Sequence, residues 1–261
     1  KTKKKKFKSL SNIFVLGSSP GDNYYRNIMT FLPRVFFNKN KKIKLAIHRK
    51  TSNKFRNFLQ DLSVKMNFEI QFIFLDDNFY SFINSQIPQF LNEKQSIKIL
   101  NSLKIPNVSN KQKIYITRQN CFSRNVVNES DIIERLEKLN FKAFDLNNLT
   151  IFEQIKLFSN AEVIVSATGS ALVNTVFCNK GTKVIEISPK YNFDFENLFK
   201  FRYSYISDIL ELNYKRVEAD PLEINKSSKN VDKIINSNVI KKNIYYKNLI
   251  LKLDKIEEII S

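Results

Sequence analysis

KIYITRQNCFSRNVVNES, residues 113–130, and AEVIVSATGSALVNTVFCNKGTKVIEIS, residues 161–188, decide the fold. With the chain between them they read as strand, loop with two arginines, helix, strand, helix, strand, glycine turn, helix, strand. Buried strands alternating with amphipathic helices predict a parallel sheet with helical crossovers. Ligands of such sheets sit beyond the carboxyl ends of strands, where loops lead into helices. Two places qualify here: the turn Ser166-Ala167-Thr168-Gly169-Ser170-Ala171, and the loop carrying Arg118 and Arg124.

Inside this stretch, Asn128-Glu129-Ser130-Asp131 starts a helix with Ile132, Ile133, Leu136 and Leu139 on one face. Its first-turn acids complement the helix dipole. Phe141 to Leu146 reads as a strand, and Thr150-Ile151-Phe152-Glu153 has the pattern of a capping box that opens a helix at Ile151. Thr182 to Ile187 is an apolar strand with Glu186 inside it. A carboxylate in that position needs a cation or a ligand hydroxyl.

Working upstream, residues 12–103 read as another alternating α/β unit. Asn12 to Gly17 is a short strand, followed by a turn at 18–22 and a helix starting near Asn23 that Pro33 kinks or ends. Tyr24, Ile28, Phe31, Leu32 and Val35 form its apolar stripe. Lys44 to His48 is a strand, Ser52 to Met66 an amphipathic helix, Phe68 to Leu75 a strand, and Asn78 to Asn101 mostly helical with a break at Pro88. Residues 1–11 form a basic tail, and 104–112, with Pro106 and Asn107, a linker. The second α/β domain covers 113–228 and ends with a helix at Phe201 to Leu212 and a short strand at Tyr214 to Val217. A helical segment, 229–261, closes the chain, with the helix itself from Lys242 to Ile260.

The bulk properties narrow the function less than the pattern does. The 261 residues carry 23 Phe and 10 Tyr but only 4 Gly, and a formal net charge of +18. Such a charge suits nucleic acid, an anionic membrane surface or an anionic small substrate, and it also arises from Lys-rich solvated faces alone. No nucleic-acid motif is present, so nucleic acid is not expected as a partner. Two cysteines give no disulfide framework and fit a reducing, cytoplasmic setting. No apolar run approaches the ~20 residues that span a bilayer, so any membrane contact is expected to be peripheral. The chain opens abruptly at Lys1, as a piece of a longer protein would.

The Gly169 turn is a candidate anion site, because orphan N–H groups and the dipole meet at a helix start. It lacks both G-x-G-x-x-G and a Walker A pattern. Arg118 and Arg124 could grip phosphate in bidentate fashion, or form surface ion pairs. Asp76-Asp77 after a strand is either a DxD-like metal clamp or an acidic turn. A single histidine, His48, cannot build a metal site and reads as structural or surface.

Residues 113–189 resemble the family-61 glycosyltransferases. The matching elements are Tyr115-Ile116-Thr117-Arg118, Arg124, Asn128-Glu129, Glu153-Gln154, Leu157-Phe158-Ser159-Asn160-Ala161, Thr168-Gly169-Ser170-Ala171-Leu172-Val173-Asn174 and Ile185-Glu186. Upstream, Asn23-Tyr24-Tyr25-Arg26 and Leu32-Pro33-Arg34 also match in order, so the likeness covers roughly Ile13 to Val217. The resemblance implies a GT-B-like architecture, two Rossmann-like domains with a cleft between them. It implies an inverting, metal-independent glycosyltransferase without a cofactor, serving surface polysaccharide synthesis. The donor, a nucleotide sugar, would meet Arg118, Arg124, Thr168, Gly169, Ser170, Ala171 and Glu186. The acceptor glycan would meet Asn23 and Tyr24, with Asp22 and Arg26 at the reacting centre.

Three positions depart from the family pattern. Arg26 stands where the family has His, Thr30 where it has Asp, and Thr168 where it has His before the glycine turn. An inverting transfer needs a base within reach of the acceptor hydroxyl. Asp22 is the first substitute, with Asp76 or Asp77 next. Arg26 suggests an anionic acceptor. The same losses keep a second reading open, a catalytically inactive relative that binds a nucleotide sugar or glycan.

Overall fold

The structure, a computed structural model, describes residues 7–17, 22–105, 111–119, 121, 123–189, 201–222, 247–252, 254–255 and 260. Residues 18–21 of the turn expected at 18–22 and the centre of the linker, 106–110, lie outside these, as do 1–6 of the basic tail and 229–246, 253, 256–259 and 261 of the closing segment. The chain is mixed α/β with parallel sheets, as the alternation predicted. It divides into two compact units, Lys1–Leu100 with Thr150–Phe152, and Asn101–Leu149 with Glu153–Ser261.

In the first unit, β1 (Lys8–Ser11), β2 (Ile13–Val15), β3 (Lys42–His48), β4 (Glu69–Leu75) and β5 (Tyr80–Ile83) form two sheets. One is three-stranded and parallel, in the order β2-β3-β4; the other is a parallel ribbon, β1-β5. Helix α1 (Tyr24–Arg26) continues as a π-helical turn, Asn27–Phe31, and a 3-10 helix, Leu32–Phe37. Pro33 lies in the first turn of the 3-10 stretch, where its missing N–H costs nothing. Ile28, Leu32 and Val35 of the expected stripe are buried, while Tyr24 and Phe31 are half-buried. Helix α2 (Asn53–Lys65) starts where Ser52 accepts from Phe55 N, and buries Phe55, Phe58, Leu59 and Leu62 at helical spacing.

Two expectations fail in this unit. Residues 8–11, read as the end of a basic tail, are a strand paired in register with 80–83. Correspondingly, 78–101 is not mostly helical: Tyr80-Ser81-Phe82-Ile83 is β5, and only Glu93–Asn101, α3, is helix. Aromatic and β-branched residues over four positions suit a strand once a partner is available, and β1 supplies it.

The second unit is a six-stranded sheet. Its strands are β6 (Gln112–Ile116), β7 (Phe141–Phe144), β8 (Ala161–Ala167), β9 (Lys183–Pro189), β10 (Asn213–Leu222) and β11 (Asn248–Ile250). They lie in the order β11-β10-β9-β8-β6-β7, with only β11 antiparallel to its neighbour. The helices are α4 (Glu129–Glu137), α5 (Ile151–Ser159) and α6 (Arg202–Leu210), with a 3-10 helix at Ser170–Phe177. Apart from β11, the order is that of a doubly wound sheet of flavodoxin type, whose switch point falls between its first and third strands. Here those are β6 and β8. One sheet face builds the core from Tyr115, Val126, Ile132, Leu136, Phe141, Val163, Val165, Ile185 and Ile187, among others.

The closing helix expected from Lys242 is interrupted. Asn248–Ile250 pairs with β10, and Leu249 is fully buried against the sheet. Tertiary burial outweighs the helical period of the surrounding leucines and isoleucines. The glycine turn after β8 leads into a 3-10 helix rather than an α-helix. Among the described residues, no helix is long and apolar enough to cross a membrane.

Candidate functional site

The loop after β6 and the turn after β8 meet at the switch point of the second unit. Gly169 has extended backbone (φ 169°, ψ 172°) that any residue could adopt. Its need for glycine is steric: a Cβ there would lie 2.9 Å from Arg118 Cζ and closer still to Nη1. The Arg118 guanidinium therefore lies directly on the glycine. Arg118 is buried, and its Nη2 donates to Ser123 O at 3.1 Å, which folds the arginine loop back on itself. From the other side the Tyr203 hydroxyl of α6, also buried, donates to Gly169 O at 2.5 Å.

The start of this loop is fixed by Glu129, the first residue of α4. Its Oε1 accepts from the Tyr115 hydroxyl at 2.9 Å and from Arg118 N at 3.0 Å. Burial pushes the Glu129 carboxyl up; those two donors and the Arg118 charge pull against it. The Tyr115 phenol is raised well above its ordinary value by burial and by Glu129. Asn128 does not cap α4. It instead binds Leu251 twice, donating to O at 2.7 Å and accepting from N at 3.2 Å.

Arg124 has left-handed backbone (φ 60°) and is half-buried. Its charge acts on Glu186. Glu186 is 1% exposed and accepts from the Tyr214 hydroxyl at 2.6 Å. In register it stands beside Ser166 of β8 and Arg216 of β10. Burial raises its carboxyl above the ordinary 4.5, while Thr168, Tyr214, Arg216 and Arg124 pull it down. The Thr168 hydroxyl acts on Glu186 without completing a well-shaped hydrogen bond, and Ser123 Oγ and Ser188 Oγ are likewise buried without a partner. Ser170 is exposed and Ala171 half-buried.

Thus Arg118, Gly169 and the hydroxyls around them are brought together, and Arg124, Thr168 and Glu186 form the adjoining group. Sequence reading did not find Tyr203, Tyr214, Arg216, Ser123 or Ser188. Tyr214 and Arg216 alternate along β10, but their meeting with Glu186 depends on a register no local pattern reveals.

In the first unit, Asp22 has left-handed backbone (φ 55°) and accepts from Asn27 Nδ2 at 2.7 Å. Asn23 caps α1 by accepting from Arg26 N at 3.0 Å, Tyr24 is half-buried, and Arg26 is exposed. Arg34 is 3% exposed; its Nε and Nη2 donate to Pro88 O at 2.9 and 2.5 Å, and Nη1 donates to Leu16 O. The Asp76-Asp77 turn is occupied by its own neighbours. Asp76 accepts from the Tyr80 hydroxyl at 2.5 Å and Lys8 Nζ at 2.9 Å, which hold it well below the usual carboxylate range. Asp77 faces His48 Nε2 at 3.0 Å and Lys50 Nζ at 3.7 Å. No cluster of three or more His, Cys, Asp or Glu suited to a metal occurs among the described residues.

The second unit is thus a parallel α/β sheet with arginines and a glycine turn at its switch point, the place where sheets of this kind hold ligands. The sequence matches the family described as Glycosyltransferase 61 over residues 18–185, well over half of the chain. The chain belongs to that family. Nothing among curated proteins matches it. Two solved structures are similar in part. One is the dodecameric iron-containing heptosyltransferase TibC in complex with ADP-D-beta-D-heptose, at TM-score 0.38 and 14% identity, covering 69% of this chain and 60% of that one. The other is TibC from enterotoxigenic E. coli H10407, at TM-score 0.38 and 12% identity, covering 69% and 59%. The chain thus spans under two thirds of their length.

Proposed function

We propose that the protein is an inverting, metal-independent glycosyltransferase that moves a sugar from a nucleotide sugar to a glycan acceptor in surface polysaccharide synthesis. The observation that carries this reading is the Arg118 guanidinium seated on Gly169 at the switch point, beside Arg124 and the buried Glu186. Arg118 orders the loop; Arg124, more accessible, binds the donor diphosphate together with the N–H groups of Ser170 and Ala171. Glu186, held by Tyr214, accepts a hydroxyl of the donor.

In the transfer, the acceptor hydroxyl oxygen attacks the anomeric carbon and the bond from that carbon to the diphosphate breaks. The hydroxyl proton passes to a base, for which Asp22 is proposed, and the arginines take the charge of the departing diphosphate. Arg26, exposed beside Asp22, suits an anionic acceptor. Bringing donor and acceptor together is the task that the two-domain GT-B arrangement serves in similar enzymes. We place the protein in the cytoplasm, with its net charge of +18 drawing it to an acidic membrane surface.

Thermal melting against nucleotide diphosphates and nucleotide sugars tests the donor site. A ligand at a hundred times its Kd stabilises by about 2.7 kcal/mol. One nucleotide should raise Tm in the native chain and not in Arg124→Ala or Gly169→Asp. No shift with any nucleotide sinks the donor reading. Asp22→Asn should keep the shift and lose transfer by at least ~100-fold; retained turnover removes Asp22 as base. Turnover abolished by EDTA and restored by a divalent cation overturns metal independence. The inactive relative is favoured by Arg26, Thr30 and Thr168, and a nucleotide shift without turnover on any acceptor decides for it.

A further inference from the structure

The parallel β1–β5 ribbon presents an unusual outer face. In register, Ser9 stands beside Ser81 and Ser11 beside Ile83, Phe7 and Phe79 meet just ahead of them, and all six are exposed. Phe7, Phe79 and Ile83 are 58%, 49% and 50% exposed, and the two phenylalanine rings pack edge to face at 5.9 Å. The same segment goes on to expose Ile87 and Phe90, each at 61%. This face carries apolar groups and hydroxyls but no charge, in a chain of which 26% is charged. A two-stranded ribbon is marginal in water by itself, and an exposed apolar patch of this kind marks an interaction surface.

Charge identifies what it meets. Residues 1–100 hold 19 Lys and Arg against 6 Asp and Glu, a net of +13 out of the chain's +18. Five of the six residues directly before Phe7 are lysine. Aromatic and isoleucine side chains beside a polybasic run are the two components of peripheral binding to anionic bilayers: apolar groups enter the headgroup boundary while lysines meet acidic lipid. A protein partner with a matching apolar strip would not by itself call for this excess of charge.

We propose that the outer face of the β1–β5 ribbon docks the protein on an anionic membrane surface. Membrane contact, proposed above on charge alone, thereby acquires a definite surface; it is independent of glycosyl transfer.

Co-sedimentation of the 261-residue chain with vesicles of phosphatidylcholine alone, or mixed with phosphatidylglycerol, tests this. Binding should need the anionic lipid and weaken as salt rises. Phe7→Ser with Ile83→Ser, and separately Lys3→Glu with Lys5→Glu, should each weaken partition on the order of tenfold or more, with circular dichroism unchanged. No binding to the anionic vesicles at low salt overturns membrane contact altogether. Full binding by the Ser variant, with loss in the Glu variant, overturns the ribbon face and leaves only the tail. Light scattering covers the remaining occupant. A native dimer that becomes monomeric in the Ser variant, without vesicle binding, shows that a second copy covers the face and overturns the proposal. The nucleotide melting shift reports on the donor site whichever way these results fall.

Discussion

Replacing Gly169 with alanine isolates the reason for that glycine. Its extended φ and ψ permit any residue, so backbone strain contributes nothing. The added methyl instead lands within 2.9 Å of Arg118 Cζ, and closer to Nη1, in a turn already held by Tyr203. Arg118 is buried and bonded to Ser123 O, so its guanidinium cannot swing aside freely. Overpacking of this kind costs about 1–3 kcal/mol. For a unit of this size that lowers Tm by on the order of 3–10 °C. Without Arg118 the clash is gone. Gly169→Ala in an Arg118→Ala background should then be neutral or stabilising by up to about 1 kcal/mol, through the unfolded chain. Urea denaturation of the four proteins of this cycle, without ligand, reads the sign change directly. A Gly169→Ala cost that is the same in both backgrounds, or absent in both, refutes the contact between Arg118 and Gly169 as the reason for glycine.

Other outcomes follow from single contacts. Glu186 and Glu129 hold protons in the folded chain that the unfolded chain releases near 4.5, so their contribution to stability is full below that pH and lost as pH rises through their higher folded values. Glu186→Gln should therefore gain stability relative to the native chain as pH rises towards neutrality, measured by denaturation across pH; a constant difference counts against a raised Glu186. Arg34→Lys should cost about 2–3 kcal/mol, because one ammonium cannot serve Leu16 O and Pro88 O as the guanidinium fork does; an unchanged urea midpoint refutes the clamp. Gln154 donates to Leu146 O and Leu149 O and accepts from Asn174 Nδ2. Gln154→Ala should lower stability by about 1–3 kcal/mol, while the nucleotide melting shift persists; a lost shift would mean that Gln154 serves the ligand rather than the frame.

The second unit was legible because its strands are continuous apolar runs and its helices keep a clear period. Glu153-Gln154, Asn128 and Asn174 were quoted for family likeness, yet Gln154, Asn128 and Asn174 turn out to tie backbone or one another. Their spacing carries no mark of whether an amide faces a ligand or a carbonyl. Gly169 was noticed for its rarity, but its neighbour Arg118 arrives from a loop 51 positions earlier, a pairing only the sheet order supplies. The ribbon of β1 and β5 escaped notice for the same reason, since Tyr80-Ser81-Phe82-Ile83 becomes a strand only beside Lys8–Ser11. Charge hid the strand that starts at Lys8.

The strand β11 has a consequence for how the protein is made. Asn248 Oδ1 accepts from Asn125 N, Leu249 N donates to Asn125 O, and Asn128 grips Leu251, contacts that reach across 123 or 124 positions of sequence. During synthesis, the arginine loop leaves the ribosome long before the residues that brace it. Until those arrive, Asn125 and Asn128 at the far end of the arginine loop lack the partners that hold them in the finished chain.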